Sequence, residues 1–125
     1  MNEQVIRDLV ATGKWSEENA KISQRADHRC EYCGLDFFGS AENFKQWQCD
    51  HIVPISTDGT EDIENKAASC RTCNWDFKRG WDPRPDAGHN ATRAQLIEVV
   101  RRRILAENQK TTAEVQRYRA IIGRS

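Results

Sequence analysis

The chain has 125 residues, of which 38% are hydrophobic and 30% are charged. This length suits one small domain with appendages and disfavours a second full domain. The 19 basic residues balance 19 acidic ones, so the chain lacks the overall positive charge that is typical of nucleic-acid-binding proteins. It contains no apolar run of about 18 residues and no basic leader segment, so we expect a soluble protein of the cytoplasm without membrane contact.

The overall balance conceals an uneven distribution of charge along the chain. Residues 35–64 carry one basic and seven acidic side chains, whereas residues 91–125 carry eight basic and three acidic ones. A divalent cation would offset the acidic segment, and the basic excess would attract a polyanion. The pattern is compatible with a metal-dependent enzyme that acts on nucleic acid.

Two short helices are predicted at the N-terminus. Apolar residues recur at helical spacing over residues 2–12, and Gly13 provides a stop. Ser16 is a suitable N-cap for a second helix that reaches about Ala26. Residues 1–26 are therefore interpreted as a helical extension of a central module.

The central module, residues 27–82, combines a cysteine-rich loop with two strands and a helix. The segment "FKQWQCDHIVPIS" is rich in aromatic and β-branched residues and predicts a strand that ends near Pro54. Asp58 and Gly59 indicate a turn in the polar loop that follows. The segment "NKAASCRTCNWDFKRG" then predicts a short strand and a helix that ends near Gly80.

Residues 83–125 are interpreted as a linker and C-terminal helices. The segment "WDPRPDAGHN" contains two of the three prolines and predicts an irregular linker. Asn90 is a candidate N-cap for one helix, and "TTAE" at residues 111–114 fits a capping box for another. The expected fold class is therefore α+β, with flanking helices at both termini.

The cysteines form two CxxC motifs, Cys30 with Cys33 and Cys70 with Cys73, separated by 36 residues. In a reducing cytosol, closely spaced cysteines indicate metal ligands before disulfides. Four thiolates make a closed tetrahedral zinc site, which is structural because no position is open to substrate. Two disulfides and four buried free thiols remain as alternatives. Cys49 stands outside both motifs and is interpreted as a buried strand residue.

Four polar residues lie between and beside these motifs: Asp50 and His51 in "CDHIVPIS", Asn65 in "IENKAA" and Asn74 in "CRTCNWDFKRG". In this order, and with the cysteines around them, they resemble the HNH endonuclease family, also called His-Me finger or ββα-metal nucleases. The resemblance covers about residues 27–80 and neither end of the chain. It implies a β-hairpin followed by a helix, with a divalent ion between the first strand and that helix.

The resemblance also implies a role for each residue. Asp50 and Asn74 would bind the catalytic ion, Mg²⁺ or Mn²⁺, because oxygen ligands suit hard cations. His51 would be the general base, since imidazole titrates near neutral pH, and Asn65 would orient the loop and the histidine. Hydrolysis of DNA would leave 5′-phosphate and 3′-hydroxyl ends. Asparagine replaces the last histidine of other members, which favours harder ions.

The expected nucleic-acid contacts are basic residues near the motif and on the C-terminal helix: Lys66, Arg71, Lys78, Arg79, Arg84, Arg101, Arg102 and Arg103. Such contacts to phosphates give affinity more than sequence choice. The tryptophans of the module, Trp47, Trp75 and Trp81, are interpreted as core residues, because a domain this small needs them there.

Several functions stay open at this point. The chain could be a zinc-containing module that binds DNA without cutting it, a nuclease that acts on RNA, or a partner-dependent nuclease in phage packaging or host defence. One active centre would nick one strand. A double-strand break would need two centres or sequential nicks, and a homodimer through the C-terminal helices would bring two centres together.

Overall fold

The computed structural model describes residues 2–124 and has the predicted α+β fold. A two-stranded antiparallel sheet lies at its centre, with helices before and after it. The helices are α1 (Glu3–Ala11), α2 (Glu17–Arg25), α3 (Ala41–Phe44), a π-helix (Thr72–Lys78), α4 (Arg84–Ala87) and α5 (Arg93–Ile121). The strands are β1 (Trp47–His51) and β2 (Lys66–Cys70), and short 3-10 helices, Ile55–Thr57 and Ile63–Asn65, lie between them.

The two N-terminal helices begin at the predicted polar caps. Asn2 accepts hydrogen bonds from the first turn of α1, and the Ser16 hydroxyl accepts one from the backbone of Asn19 at 3.0 Å. Helix α2 buries Ile22 in the same apolar cluster that holds Phe37 from the cysteine-rich loop and Val100 from α5. The N-terminal helices therefore confirm the sequence prediction in position and extent.

The strands pair over their whole length, with Trp47 opposite Cys70 and His51 opposite Lys66. Strand β1 begins later than the aromatic segment suggested. Phe44 lies instead in α3, because the Ser40 hydroxyl caps that short helix. The sheet thus brings the "DH" pair to the end of β1, where the chain enters the connecting loop.

The helix after β2 is a π-helix, in which the backbone N–H of Arg79 donates to the carbonyl of Asn74, five residues earlier, at 2.9 Å. Arg79 then adopts a left-handed conformation with φ of 50° and ends the helix. Single π-turns hold one extra residue per turn and often occur at functional sites. Sequence reasoning predicted a helix here and missed its type.

Two predictions for the C-terminal segment are wrong. The linker contains helix α4, which has Pro83 as its N-cap and Pro85 as its second residue. Both prolines are tolerated because the first helical turn needs no N–H donors. Helix α5 is a single helix, so the two helices predicted after Asn90 do not form. It is capped by Thr92, which exchanges hydrogen bonds with Gln95 in a capping box.

The second predicted capping box, "TTAE", lies inside α5. The hydroxyls of Thr111 and Thr112 donate to the carbonyls of Glu107 and Asn108, so both side chains are accommodated within the helix. The N-terminal half of α5 packs on the core through Ile97, Val99, Val100 and Ile104. Every residue from 108 to 124 is exposed. Within residues 2–124, no helix combines the length and the apolar character needed to cross a membrane.

Candidate active site

The four cysteines of the two CxxC motifs converge on one point. Their sulfur atoms all lie within 4.8 Å of one another, and Cys33 Sγ is 3.7 Å from Cys70 Sγ. Backbone N–H groups donate to two of these sulfurs, at 3.2 Å to Cys30 and 3.3 Å to Cys70. All the cysteines are free thiols, which speaks against the disulfide alternative. The cluster is compatible with a zinc ion.

Proximity of the thiols changes their acidity. Hydrogen bonds with the other three thiols, that of Cys33 first, hold the pKa of Cys30 well below its usual value. Cys49 lies apart on β1, half-buried against the core, and burial raises its pKa. It is a strand residue as predicted, although its burial is partial.

Asp50 lies on the face of β1 that is turned towards the π-helix, and its side chain is 8% exposed. Its Oδ2 atom accepts a hydrogen bond from the Tyr32 hydroxyl at 2.6 Å and lies 3.2 Å from the Lys78 ammonium. Burial raises the pKa of the Asp50 carboxyl, and Lys78 and Tyr32 oppose that rise. Both contacts use the same oxygen, so Oδ1 makes no hydrogen bond within residues 2–124.

Asn74, in the π-helix, shows the same arrangement. Its Nδ2 group donates to the side-chain carbonyl of Gln48 on β1 at 2.9 Å, and this contact leaves the side-chain oxygen Oδ1 of Asn74 available. Asp50, Asn74 and His51 line one open cleft of about 240 Å³. Carboxylate and amide oxygens are the donors that Mg²⁺ and similar ions prefer. The donor set of the cleft therefore fits a hard divalent cation.

His51 is the last residue of β1, and its side chain is 30% exposed. Its Nε2 atom lies 3.2 Å from the carboxylate of Glu61, and its backbone carbonyl accepts a hydrogen bond from Lys78 at 3.1 Å. Its Nδ1 atom has no hydrogen-bond partner in the described part of the chain. Sequence reasoning missed Glu61, because an acid in a polar loop carries no signal that it faces a histidine.

Asn65 closes the loop between the strands. Its side-chain oxygen accepts from the backbone of Val53 at 2.9 Å, and its Nδ2 donates to the carbonyls of Val53 at 3.0 Å and Thr60 at 2.8 Å. The loop is also tight at Gly59, where a Cβ atom would lie 1.8 Å from the Val53 carbonyl oxygen. These contacts fix the backbone that follows His51.

Two of the basic residues that were predicted to contact nucleic acid are buried instead. The Lys66 ammonium pairs with Glu18 and, at 3.4 Å, with Glu61. Lys78 is 1% exposed and pairs with Asp50. Both corrections have the same physical reason, because a lysine can enter the interior when carboxylates neutralise it. Their positive charges therefore neutralise carboxylates of the protein and are not displayed on its surface.

The remaining basic residues differ in how far they are engaged. Arg71 and Arg79 line an open cleft beside Asn74 and Trp75. Trp75 is 63% exposed, so its prediction as a core residue is wrong: it lies on the side of the π-helix that is turned away from the core. The other predicted contacts are Arg84, held by Asp82 and the Thr57 carbonyl, Arg101, which donates to the Glu31 carbonyl, Arg102, which is exposed, and Arg103, stacked on Trp81.

Comparison with known proteins gives one match. A search of curated proteins and a search of solved structures found nothing that matches the chain. The family model of the HNH endonucleases matches residues 30–76, which run from the first cysteine of the cluster past Asn74. This match confirms the resemblance seen in the motif: residues 30–76 are similar to an HNH endonuclease domain.

Proposed function

We propose that the chain is a metal-dependent HNH endonuclease that hydrolyses phosphodiester bonds of DNA. The observation that supports this most is the arrangement in the cleft. One side-chain atom of Asp50 and one of Asn74 contact the protein, so within residues 2–124 each side chain keeps one unengaged oxygen, and His51 lines the same cleft. Two unengaged oxygens and an imidazole in one cleft add nothing to the stability of the fold, so their arrangement favours a catalytic site over a purely structural module.

Two metal sites follow from the donor sets. Cys30, Cys33, Cys70 and Cys73 would hold a structural zinc ion, since four thiolates leave no open position. Asp50 and Asn74 would hold Mg²⁺ or Mn²⁺ with water and phosphate oxygens as further ligands. When bound, that ion stabilises negative charge on the phosphoryl oxygen and on the leaving 3′ oxygen.

The protein residues would act around the scissile phosphate. His51 takes a proton from the attacking water through its Nδ1 atom, because its Nε2 atom is engaged with Glu61. Asn65 holds the loop that carries this histidine. Lys78 neutralises Asp50 from the buried side. The products would carry 5′-phosphate and 3′-hydroxyl ends.

The DNA would contact the second cleft, which adjoins the one that Asp50 and His51 line and shares Asn74 with it. Arg71 and Arg79 lie there with exposed Trp75, so phosphate contacts and stacking are both available at one surface. A single cleft cuts one strand, so we propose nicking as the elementary reaction. Double-strand breaks would require a second copy of the chain or a second nick.

Cleavage of supercoiled plasmid by the zinc-loaded protein tests the proposal. With Mg²⁺ or Mn²⁺ we expect nicking that is lost in His51→Ala and on addition of a chelator. The matched control is His89→Ala, because His89 is exposed and lies outside the cleft. An inactive, folded wild type that still retards DNA on a gel would favour the binding module. Cleavage of RNA but not of DNA would show that the substrate is RNA.

A further inference from the structure

The loop between the strands carries an acid, Glu61, that is held between two side chains of the strands. Glu61 contacts His51 on one side and the buried Lys66 on the other. Lys66 in turn pairs with Glu18, in the first turn of α2. A chain of four alternating charged or polar groups therefore runs from the N-terminal extension to the imidazole.

We propose that Glu61 is a positioning residue for His51, and that α2 contributes to this role through Glu18 and Lys66. The inference rests on the proposed nuclease function, because it assigns His51 the role of base. The Glu61 carboxylate accepts a hydrogen bond from the N–H group at Nε2, so the lone pair of the neutral ring lies on Nδ1. Glu61 thus decides which ring nitrogen faces the attacking water.

Burial of Lys66 explains how an exposed loop residue can hold a ring in place. The Glu61 side chain is 70% exposed, and an isolated pair of that kind would be too mobile to orient a ring. Lys66 is 10% exposed and lies opposite His51 in the strand pairing, so its ammonium is anchored beside the histidine. The hydrogen bonds with His51 and then with Lys66 hold the pKa of Glu61 below its usual value, so it stays ionised.

Positioning of His51 by Glu61 and simple electrostatic repulsion predict opposite changes in the cleavage rate when Glu61 is removed. Removing one negative charge from a loop near DNA reduces repulsion and should improve binding and cleavage. Asp62, the next residue, offers this comparison, because it is exposed and its side chain makes no capping hydrogen bond. If Glu61 orients the base, its removal should slow cleavage even though the charge change is the same.

The experiment compares Glu61→Ala with Asp62→Ala in single-turnover plasmid nicking. We expect the cleavage rate of the Glu61 variant to fall about tenfold, at the lower end of the range for partners that orient histidines, although its DNA affinity stays equal or rises. We expect Asp62→Ala to be as fast as the wild type or faster. Glu61→Gln should recover part of the rate, because its amide oxygen still accepts from Nε2. Equal rates in both alanine variants would overturn the inference.

Two further arms separate positioning from a general effect on the fold. At the residual nicking rate of His51→Ala, followed with excess protein over long times, Glu61→Ala should cause no additional loss, and an additive loss would refute coupling between the two residues. In α2, Glu18→Ala should slow cleavage, whereas Glu17→Ala should not, because the ion pair that Glu17 makes among the described residues is an exposed one with Lys21. Identical behaviour of both α2 variants would remove α2 from the proposal.

A spectroscopic arm works without catalysis. The chain has three histidines, so ring nitrogen resonances of the zinc-loaded, magnesium-free protein are few and are assigned by the loss of one in His51→Ala. The Nε2 resonance of His51 should move in Glu61→Ala and stay in place in Asp62→Ala. A resonance that ignores Glu61 would overturn the contact. An inactive wild type whose resonance does respond would instead count against the nuclease and leave the contact standing.

Discussion

Replacing Tyr32 by phenylalanine should weaken both the fold and the binding of the proposed catalytic ion. The hydroxyl of Tyr32 donates to Asp50 Oδ2 at 2.6 Å, and both residues are buried. Burial, and then the negative charge of Asp50, raise the pKa of Tyr32 well above its usual value, so the hydroxyl remains a donor. Tyr32 lies between Cys30 and Cys33 in the chain, so this bond joins the cysteine cluster to the cleft.

The magnitude follows from the charge of the acceptor. A hydrogen bond to a charged group contributes about 1.5–3 kcal/mol, and Lys78 still neutralises Asp50 in the variant. We therefore expect a loss of about 1.5–2 kcal/mol in the free energy of unfolding. The freed carboxylate should also bind Mn²⁺ about tenfold more weakly, as when other partners of metal ligands are removed.

Denaturant unfolding of the zinc-loaded protein measures the first quantity, and titration with Mn²⁺ followed by electron paramagnetic resonance measures the second. Tyr118→Phe is the matched control, because the chain has two tyrosines and Tyr118 is exposed on α5. Its hydrogen bond to Glu114 should contribute no more than about 0.5 kcal/mol. Equal losses of stability in the two variants would refute the reasoning about the buried bond.

Three further predictions concern the zinc site, the loop and the DNA surface. Removal of zinc by a chelator should unfold the central module, because metal binding supplies folding free energy, and an unchanged melting temperature would show that the thiol cluster needs no metal. Gly59→Ala should cost at least about 2 kcal/mol, since its methyl group would overlap the carbonyl of Val53, and thermal melting measures the cost. Arg79→Ala should weaken DNA binding and reduce the slope of log affinity against log salt by about one, measured by fluorescence anisotropy, whereas Lys45→Ala should leave the slope unchanged.

Local signals in the sequence were sufficient for the elements that depend on them. Ser16 caps α2 as predicted, because a cap is a contact between residues three positions apart. The CxxC motifs likewise identify four thiols that meet in space. In contrast, "TTAE" has the composition of a capping box and lies within α5, because the preceding turn is already helical and no residue breaks it.

The side chains that the sequence misplaced depend on distant parts of the fold. Lys66 and Lys78 are basic residues in a nuclease motif, so an exposed contact with phosphate is the natural prediction. Their burial depends on carboxylates from α2 and β1, whose positions only the tertiary structure provides. The contact between Glu61 and His51 is of the same kind, since a flexible-looking loop is held by a buried lysine.

The exposed half of α5 is a continuous helix that extends away from the core. From residue 108 to Ile121 the helix extends about 21 Å beyond its buried turns, at 1.5 Å per residue. Anything joined to that end is therefore held at a set distance and azimuth from the cleft. Inserting seven residues into this half would lengthen the helix by about 10 Å with little rotation, whereas inserting five would rotate its end by about 140°.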